Sequence, residues 1–564
     1  MTPGNNTNSF GAHDAVLRLR SELARLRSAA LSGDDMRAAL AGNSAGFAKF
    51  FFRRHCRLAF SPMHLASFGR HNRLAAEPLP GREGARLALA APRGNAKSTI
   101  HSLILPVMDV CYQRESHIVI ISATFAQAAL RLRNIRDEIL TNETLRAAFQ
   151  TAVEARTQCN RQTLCVNGVR LDAFGAGAEI RGISHGATRP TKIILDDVED
   201  STRAMSETAR AETLAWYNEV VENLGDSYTH IEVVGTILHP DSLLATLVRS
   251  PHFEGRVYRS VEAWAERGDL WDRWRTILAN PSDAGRLDSA RSFFLANREA
   301  MLRGTRVLWE RKESYEQLMM QLATRGRVAF FKEKQNEPLS AGSRVFDTAA
   351  WLRFIHDEAG GQLSFPSADA ASGAPVAVRA LRVCGFLDPA LGGGASRRRG
   401  DFAAIVTVAT DGAGAYFVLD AWIDRAPPAR QIERIFDLHA RWHFDLFGYE
   451  ANHFQSLLAA PIELERARRR EHGRLWQLPL RAVRHTERKE ARIAALEPLA
   501  ANGWLRFSRS LPEEFFAQAD AFPCGRHDDA IDALAGAVEL AKSFSCGTGI
   551  VTLRGRRSVR AKGY

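Results

Sequence analysis

The run RLALAAPRGNAKST, residues 86–99, decides how the fold is read. A short apolar stretch ends near Ala91, a loop carries Arg93, Gly94 and Asn95, and an apolar helical pattern begins at Lys97. Strand, tight loop and helix is the context in which backbone N–H groups at a helix start bind phosphate oxygens. The spelling departs from GxxxxGK[ST]: Ala91 and Ala96 stand at the two glycine positions, while Gly94 lies inside the loop. The chemistry survives the departure. Lys97 offers a point charge to the β- and γ-phosphates of ATP, and the Ser98 hydroxyl can ligate Mg2+. Residues Arg93, Gly94, Asn95, Ala96, Lys97, Ser98 and Thr99 form the expected nucleotide loop.

About a hundred residues on, TKIILDDVED (191–200) reads as a buried strand ending in adjacent carboxylates. Asp196 is placed to hold magnesium, directly or through water, and Asp197 to orient or deprotonate the attacking water, with Glu199 as the alternative. A further run, IEVVGTILH, ends at Gly235 and Thr236, where a small hydroxyl residue can sense the γ-phosphate and couple it to motion. Four short apolar runs, RLALAA, HIVIISAT, TKIILDD and HIEVVGT, each precede a longer helical stretch. Parallel strands buried on both faces read this way, so residues 45–338 are expected to form an α/β ATPase domain with a phosphate loop of RecA-like (ASCE) type.

Between 339 and 378 the chain gathers Ser, Gly, Ala and Pro without sustained periodicity, which predicts a linker. Beyond it LRVCGFLD, FAAIVTVAT and AYFVLDAW follow closely, as in an antiparallel meander, and helical and strand patterns then alternate. This predicts a second α/β domain over 379–546. A strand delivers Asp388 to its C-terminal end, LFGYE does the same with Glu450, and HDDAIDA places Asp528 and Asp529 in the first turn of a helix. Asp532 follows one turn later. Acids from separate elements can converge on divalent ions that activate water and stabilise a leaving phosphodiester oxygen. A set of oxygen ligands without cysteine points to Mg2+ or Mn2+. The order β-β-β-α-β-α-β-α, with acids on the first strand, the fourth strand and the last helix, is that of a ribonuclease H-like nuclease. His527 can assist a proton transfer or serve as a cap, and Asp401 is an accessory ligand or a turn acid.

Composition bounds these readings. Lys+Arg 75 against Asp+Glu 64 leaves +11 over 564 residues, which favours a polyanionic partner. With 45% hydrophobic and 25% charged residues, bulk disorder is excluded. The seven cysteines are scattered without a CxxC pair, which argues against a zinc knuckle and for free thiols in a reducing compartment. No apolar run reaches the roughly 18 residues of a membrane span, and a cytoplasmic protein is expected. Residues 1–44 read as a polar terminus with an amphipathic helical appendage, and 547–564 as a basic tail.

Taken in order, Arg93 four residues before Lys97, IILDDVED, the phrase FFKEKQNEP at 330–338, Asp388, Glu450 and HDDAIDA resemble the large terminase subunit of tailed bacteriophages and prophages. The resemblance spans about residues 45–545. It implies an ATPase that translocates double-stranded DNA into a procapsid and a nuclease that cuts concatemeric DNA. It also implies ATP and Mg2+, with Mn2+ possible at the nuclease site, and as partners the small terminase subunit and the portal protein of the procapsid. A homo-oligomeric ring on the portal, in the host cytoplasm, belongs to the same implication. Residue by residue it assigns Lys97, Ser98, Asp196 and Asp197 to the ATPase, Arg93 to the γ-phosphate, and Asp388, Glu450 and Asp529 to the nuclease, with Asp528 adjacent. The departures are Ala91, Ala96 and Asp rather than Glu at 197. Two other readings fit less of the chain. A helicase-like repair ATPase fused to a nuclease would need a second RecA-like strand series, which residues 240–340 lack, and a non-catalytic DNA-binding packaging scaffold would not hydrolyse ATP.

Overall fold

The computed structural model describes residues 33–77, 81–150, 160–279, 283, 285–338, 344–365, 375–390, 402–411, 414–450, 455–471, 478–485, 487 and 489–545. Asp401 and the basic tail lie outside the described residues, as does most of the N-terminal appendage. The chain divides into two units, residues 1–267 with 299–340 and residues 268–298 with 341–564.

The first unit is built on a seven-stranded sheet. Its strands are β1 (Arg86–Ala90), β2 (His117–Ser122), β3 (Thr163–Val166), β4 (Val169–Gly175), β5 (Lys192–Asp196), β6 (His230–Gly235) and β7 (Glu254–Val257), in the order β3-β4-β2-β5-β6-β1-β7. All pairings are parallel except the hairpin β3–β4. The four runs singled out in the sequence are β1, β2, β5 and β6, and every residue of β2, β5 and β6 is buried. Alternation is masked in the sequence because both faces are covered: Ile118 and Ile120 enter one core, Val119 and Ile121 the other. Insertion of β6 between β1 and β5 gives the strand order of the RecA-like phosphate-loop class. A small pair, β8 (Val261–Ala263) and β9 (Arg306–Val307), stands beside this sheet in the chain.

Leu40, on the helix Gly33–Ala41, is fully buried in the same core as Phe47 and Ile104. The last turns of the expected appendage are therefore part of the first unit. At the N-terminal ends of the strands, buried charges pair with one another. Lys192 Nζ lies 2.9 Å from Asp109, His71 2.8 Å from the same carboxylate, and Arg70 3.2 Å from Glu232.

The second unit holds a nine-stranded sheet. The strands are β10 (Arg353–Asp357), β11 (Gln362–Ser364), β12 (Val376–Ala377), β13 (Arg382–Asp388), β14 (Ala403–Thr410), β15 (Tyr416–Asp424), β16 (Leu446–Glu450), β17 (Leu480–Val483) and β18 (Leu505–Ser508). Their order is β12-β11-β10-β18-β15-β14-β13-β16-β17. Within it β15-β14-β13-β16-β17 is the 3-2-1-4-5 arrangement of the ribonuclease H-like class, with β13–β14 and β14–β15 antiparallel and β13–β16 and β16–β17 parallel. The helix Asp529–Ser545 covers one face and Pro428–Trp442 the other. Ala533 and Ala537 join the core of Phe386 and Val406, while Ile432 and Phe436 join that of Leu387 and Ile405.

Two expected boundaries differ from what is found. The stretch expected as a linker supplies β10–β12, and Trp351 stacks on Phe507 with centroids 4.0 Å apart. Aromatic residues spaced along a Ser/Gly/Ala background carry no periodic signal, so composition hid them. Residues 268–298, expected inside a continuous 45–338 domain, group with the second unit, where Trp271, Trp274 and Phe294 pack together and the Arg286 guanidinium lies 4.4 Å from the Trp504 ring. An amphipathic helical pair reads the same in sequence whichever core it joins.

Candidate functional site

In the first unit the phosphate loop leaves β1 and enters a helical turn at Lys97–Thr99, which passes through a π-helical Ile100–Ile104 into Leu105–Cys111. Gly94 has φ 86° and Ala96 φ 58°. The second value is left-handed and costs a non-glycine residue about 1 kcal/mol or more. The surroundings hold the loop in place. Arg93 N donates to Glu333 O at 2.9 Å, and Lys334 Nζ donates to Arg93 O at 3.3 Å. His64 Nδ1 accepts from Ser61 N, so Nε2 carries the proton and donates to Asn95 O at 2.9 Å. Burial lowers the His64 pKa to about 4, which keeps that ring neutral.

The phrase 330–338 thereby finds its role. Asn336 Oδ1 accepts from Ile237 N and its Nδ2 donates to Tyr258 O, while Gln335 pairs with both backbone groups of Val261. A helix end, Tyr315–Gln335, is buttoned to the loop and to the segments after β6 and β7.

Every charged group of this site has a partner of opposite sign. Lys97 Nζ lies 3.1 Å from Thr236 Oγ1 and 3.4 Å from Asp197 Oδ1, and Thr236 Oγ1 in turn donates to Ala91 O. Ser98 Oγ donates to Asp196 Oδ1 at 2.7 Å, which brings together the two oxygens expected to share magnesium. Arg131 Nε lies 2.8 Å from Asp196 Oδ2, and Arg93 Nε 3.0 Å from Glu333. Asp197 has φ 49° and faces Gly235, where an added Cβ would meet its Oδ1 at 3.4 Å. Burial pushes the Asp197 carboxyl up, against the pull of Lys97. Glu199, the alternative to Asp197, instead accepts Leu243 N at 2.8 Å and caps the helix Leu243–Arg249. The structure thus gathers Lys97, Ser98, Asp196, Asp197 and Thr236, and ties Glu199 elsewhere. Arg131 and Glu333 were missed by sequence reasoning, since an arginine in an amphipathic helix and a glutamate in a charged one give no signal.

In the second unit, carboxylate oxygens of Asp388, Glu450 and Asp532 lie within 4.8 Å of one another. Asp388 ends β13, Glu450 ends the neighbouring parallel β16, and Asp532 lies on the helix Asp529–Ser545. Glycines set that helix over the strands. An added Cβ at Gly536 would meet Phe386 at 2.6 Å, and one at Gly448 would meet the same ring at 2.7 Å. Asp532 is one turn before Gly536 and Asp388 two residues beyond Phe386, so the close approach brings their carboxylates together.

The cluster holds Asp532 at the place where Asp529 was expected. Asp528 precedes the helix, its carbonyl accepts from Ile531 N and Asp532 N, and its carboxylate lies 2.8 Å from Lys489 Nζ. Asp529 Oδ2 lies 3.7 Å from His527 Nδ1. The His527 ring meets Phe402 edge-on with centroids 4.9 Å apart, and its Nε2 lies 3.4 Å from Arg425. Two cations were not foreseen. Lys489 Nζ also lies 3.5 Å from Asp532 and 3.9 Å from Asp388, and Arg492 Nη2 lies 2.5 Å from Asp532 Oδ1.

Burial and the neighbouring Asp532 push the Asp388 carboxyl up to about 8, despite Lys489. Burial opposes charge on Lys489, but its hydrogen bond to Asp528 and the surrounding carboxylates push its pKa well above the usual lysine value. Three converging carboxylate oxygens fit Mg2+ or Mn2+.

The two units therefore define a class: a phosphate-loop α/β fold and a ribonuclease H-like fold on one chain. No family model and no curated protein matches the sequence. Among solved structures its neighbours include large terminase proteins of phages and the human cytomegalovirus terminase nuclease domain. The large terminase from a thermophilic bacteriophage gives a TM-score of 0.38 at 8% identity over 86% of this chain and 98% of that one. The same phage protein in complex with ADP gives 0.36 at 10% identity, over 85% and 100%. The large terminase nuclease of thermophilic phage G20c gives 0.24 at 13% identity, over 35% and 98%.

Proposed function

We propose that this chain is a DNA-packaging motor subunit of the large terminase type, which hydrolyses ATP to move double-stranded DNA and cuts that DNA with a divalent-metal nuclease. The observation that carries the reading is the pairing on one chain of the Lys97–Ser98–Asp196 constellation with the Asp388–Glu450–Asp532 cluster. The +11 net charge supports a polyanionic substrate.

In the ATPase, loop N–H groups and Lys97 would receive the phosphates, Ser98 and Asp196 would hold Mg2+, and Asp197 would orient water. A bound nucleotide with its Mg2+ would compete for Lys97 and Asp196, whose partners in this structure are Asp197 and Arg131. Thr236 links Lys97 to the end of β6 and so passes the change into the sheet. In the nuclease, Asp388, Glu450 and Asp532 would hold Mg2+ or Mn2+. Such an ion supplies Lewis-acid activation of water and stabilises the leaving oxygen.

Double-stranded DNA, the small terminase subunit, the portal of a procapsid, a homo-oligomeric ring and the host cytoplasm complete the proposal. Plasmid cleavage with Mg2+ or Mn2+, run beside DNA-stimulated ATP hydrolysis, on wild type, Lys97→Ala and Asp388→Ala tests it. Absence of both activities from a folded, wild-type protein overturns the proposal.

A further inference from the structure

The first unit carries a polar cavity at the end of its sheet remote from the phosphate loop. β5 and β6 run parallel, so Lys192 and His230, which open them, lie at the opposite end from Asp196 and Gly235. Both residues line a cavity of about 270 Å³, together with Arg82, Asp109, Arg114 and Glu115. Neither proposed activity uses any of these groups.

The buried carboxylates of the wall are already served on both oxygens. Glu115 takes Arg82 at 2.8 and 3.2 Å, Asp109 takes His71 at 2.8 Å and Lys192 at 2.9 Å, and Glu232 takes His101 at 2.8 Å and Arg70 at 3.2 Å. Donors are left over. His230 is 3% exposed, and its Nδ1 accepts from Ala85 N at 2.9 Å, so Nε2 carries the proton. Burial, with Arg82 and Lys192 nearby, lowers the His230 pKa to about 3 and keeps the ring neutral. Its buried Nε2 has no partner among the described residues. Arg114 gives Nη2 to Ala41 O and lays its guanidinium over the Tyr112 ring, while its buried Nη1 has no such partner. A buried donor left unpaired costs about 1–3 kcal/mol, so the wall favours whatever brings acceptors. Charge points the same way. Arg70, Arg82, Arg114 and Lys192 stand against Asp109, Glu115 and Glu232, and the remaining carboxylates, Glu77 and Glu254, reach solvent.

We propose that this cavity binds a small oxyanion, whose oxygens accept from His230 Nε2 and Arg114 Nη1 beside the charges of Arg82 and Lys192. Inorganic phosphate and a small carboxylate share that chemistry, and the cavity has room for either.

Calorimetric titration of the full chain with sodium phosphate, at ionic strength held constant with chloride, tests the proposal on wild type, Arg114→Gln, Ala75→Trp and Lys97→Ala. Ala75 lies on the wall, so a Trp there fills the cavity and leaves both donors in place. Thermal melts confirm that each variant is folded. Saturable binding is expected in wild type, weakened by about tenfold or more in Arg114→Gln and in Ala75→Trp. Lys97→Ala should bind as wild type does, since the phosphate loop lies at the other end of the sheet. The same titrations with sodium acetate tell a carboxylate site from a phosphate site. Absence of saturable binding of both anions overturns the proposal, as does wild-type affinity in folded Arg114→Gln or Ala75→Trp. Loss of binding in Lys97→Ala alone would place the anion in the phosphate loop and overturn it as well.

Discussion

The two sites reach a similar electrostatic end by different routes. In the first unit the groups that matter lie on short, nearly contiguous stretches: a loop of seven residues, a strand end and the end of its neighbour. Backbone geometry does the positioning, down to a left-handed Ala96 and a left-handed Asp197. In the second unit three carboxylates come from residues 388, 450 and 532, and the side-chain packing of Phe386 against Gly448 and Gly536 brings them within reach. Both sites park an arginine or lysine on the acids, Arg131 on Asp196 and Lys489 on Asp388, Asp528 and Asp532. A site fixed by backbone tolerates altered spelling, as Ala91 and Ala96 illustrate, whereas a site fixed by packing depends on residues remote from the chemistry.

Removing one site at a time separates the two activities. Asp388→Asn and Glu450→Gln should each lower metal-dependent cleavage by more than about a hundredfold, while ATP hydrolysis persists. Lys97→Ala should lower ATP hydrolysis by about two to three orders of magnitude and spare nicking of free DNA. Paired ATPase and plasmid assays decide the matter, and joint loss of both activities in a folded variant would end the two-site account.

The next test concerns which acid completes the cluster. Asp532→Asn should reduce cleavage and Mn2+ affinity about a hundredfold, whereas Asp529→Asn should remain within about tenfold of wild type. Reversal of that order in the same plasmid assay would return the third position to Asp529.

A smaller effect follows from the Asp388 carboxyl, pushed up to about 8. Below that pH the ion must displace a proton, so Mn2+ affinity should climb about tenfold per pH unit from 6 to 8 and level off above. Calorimetry in buffers of different ionisation enthalpy checks the proton release. The sign for stability is opposite. The folded metal-free protein holds a proton that the unfolded chain releases near pH 4, so this group's contribution is complete below that pH and fades as the pH rises toward 8. A pH-independent affinity would remove Asp388 from the ligand set.

The smallest effect belongs to the phosphate loop. Ala96→Gly relieves a left-handed alanine at φ 58° but frees the unfolded chain, for a net gain of up to about 1 kcal/mol, or about 2–4 °C in Tm. Thermal melts measure it, and a fall in Tm would mean that backbone strain is not what the loop stores.

Much of the molecule could be read without coordinates. The buried runs that became β1, β2, β5 and β6 are legible because parallel strands covered on both faces leave uninterrupted apolar residues, and the loop before Lys97 is legible because its function is local. Asp388 and Glu450 could be placed because each stands at the end of such a run. Tertiary structure decided what local pattern leaves degenerate. Asp528, Asp529 and Asp532 share one helix start, and only the approach of Gly536 to Phe386 turns Asp532 toward Asp388. The strands β10–β12 lay hidden in a Ser/Gly/Ala-rich stretch, because edge strands two to five residues long carry too few alternations to register. Lys489 and Arg131 looked like solvated charges on amphipathic helices. Their roles arise from where packing sets those helices, since a charge acts through distance in space and the sequence records only distance along the chain.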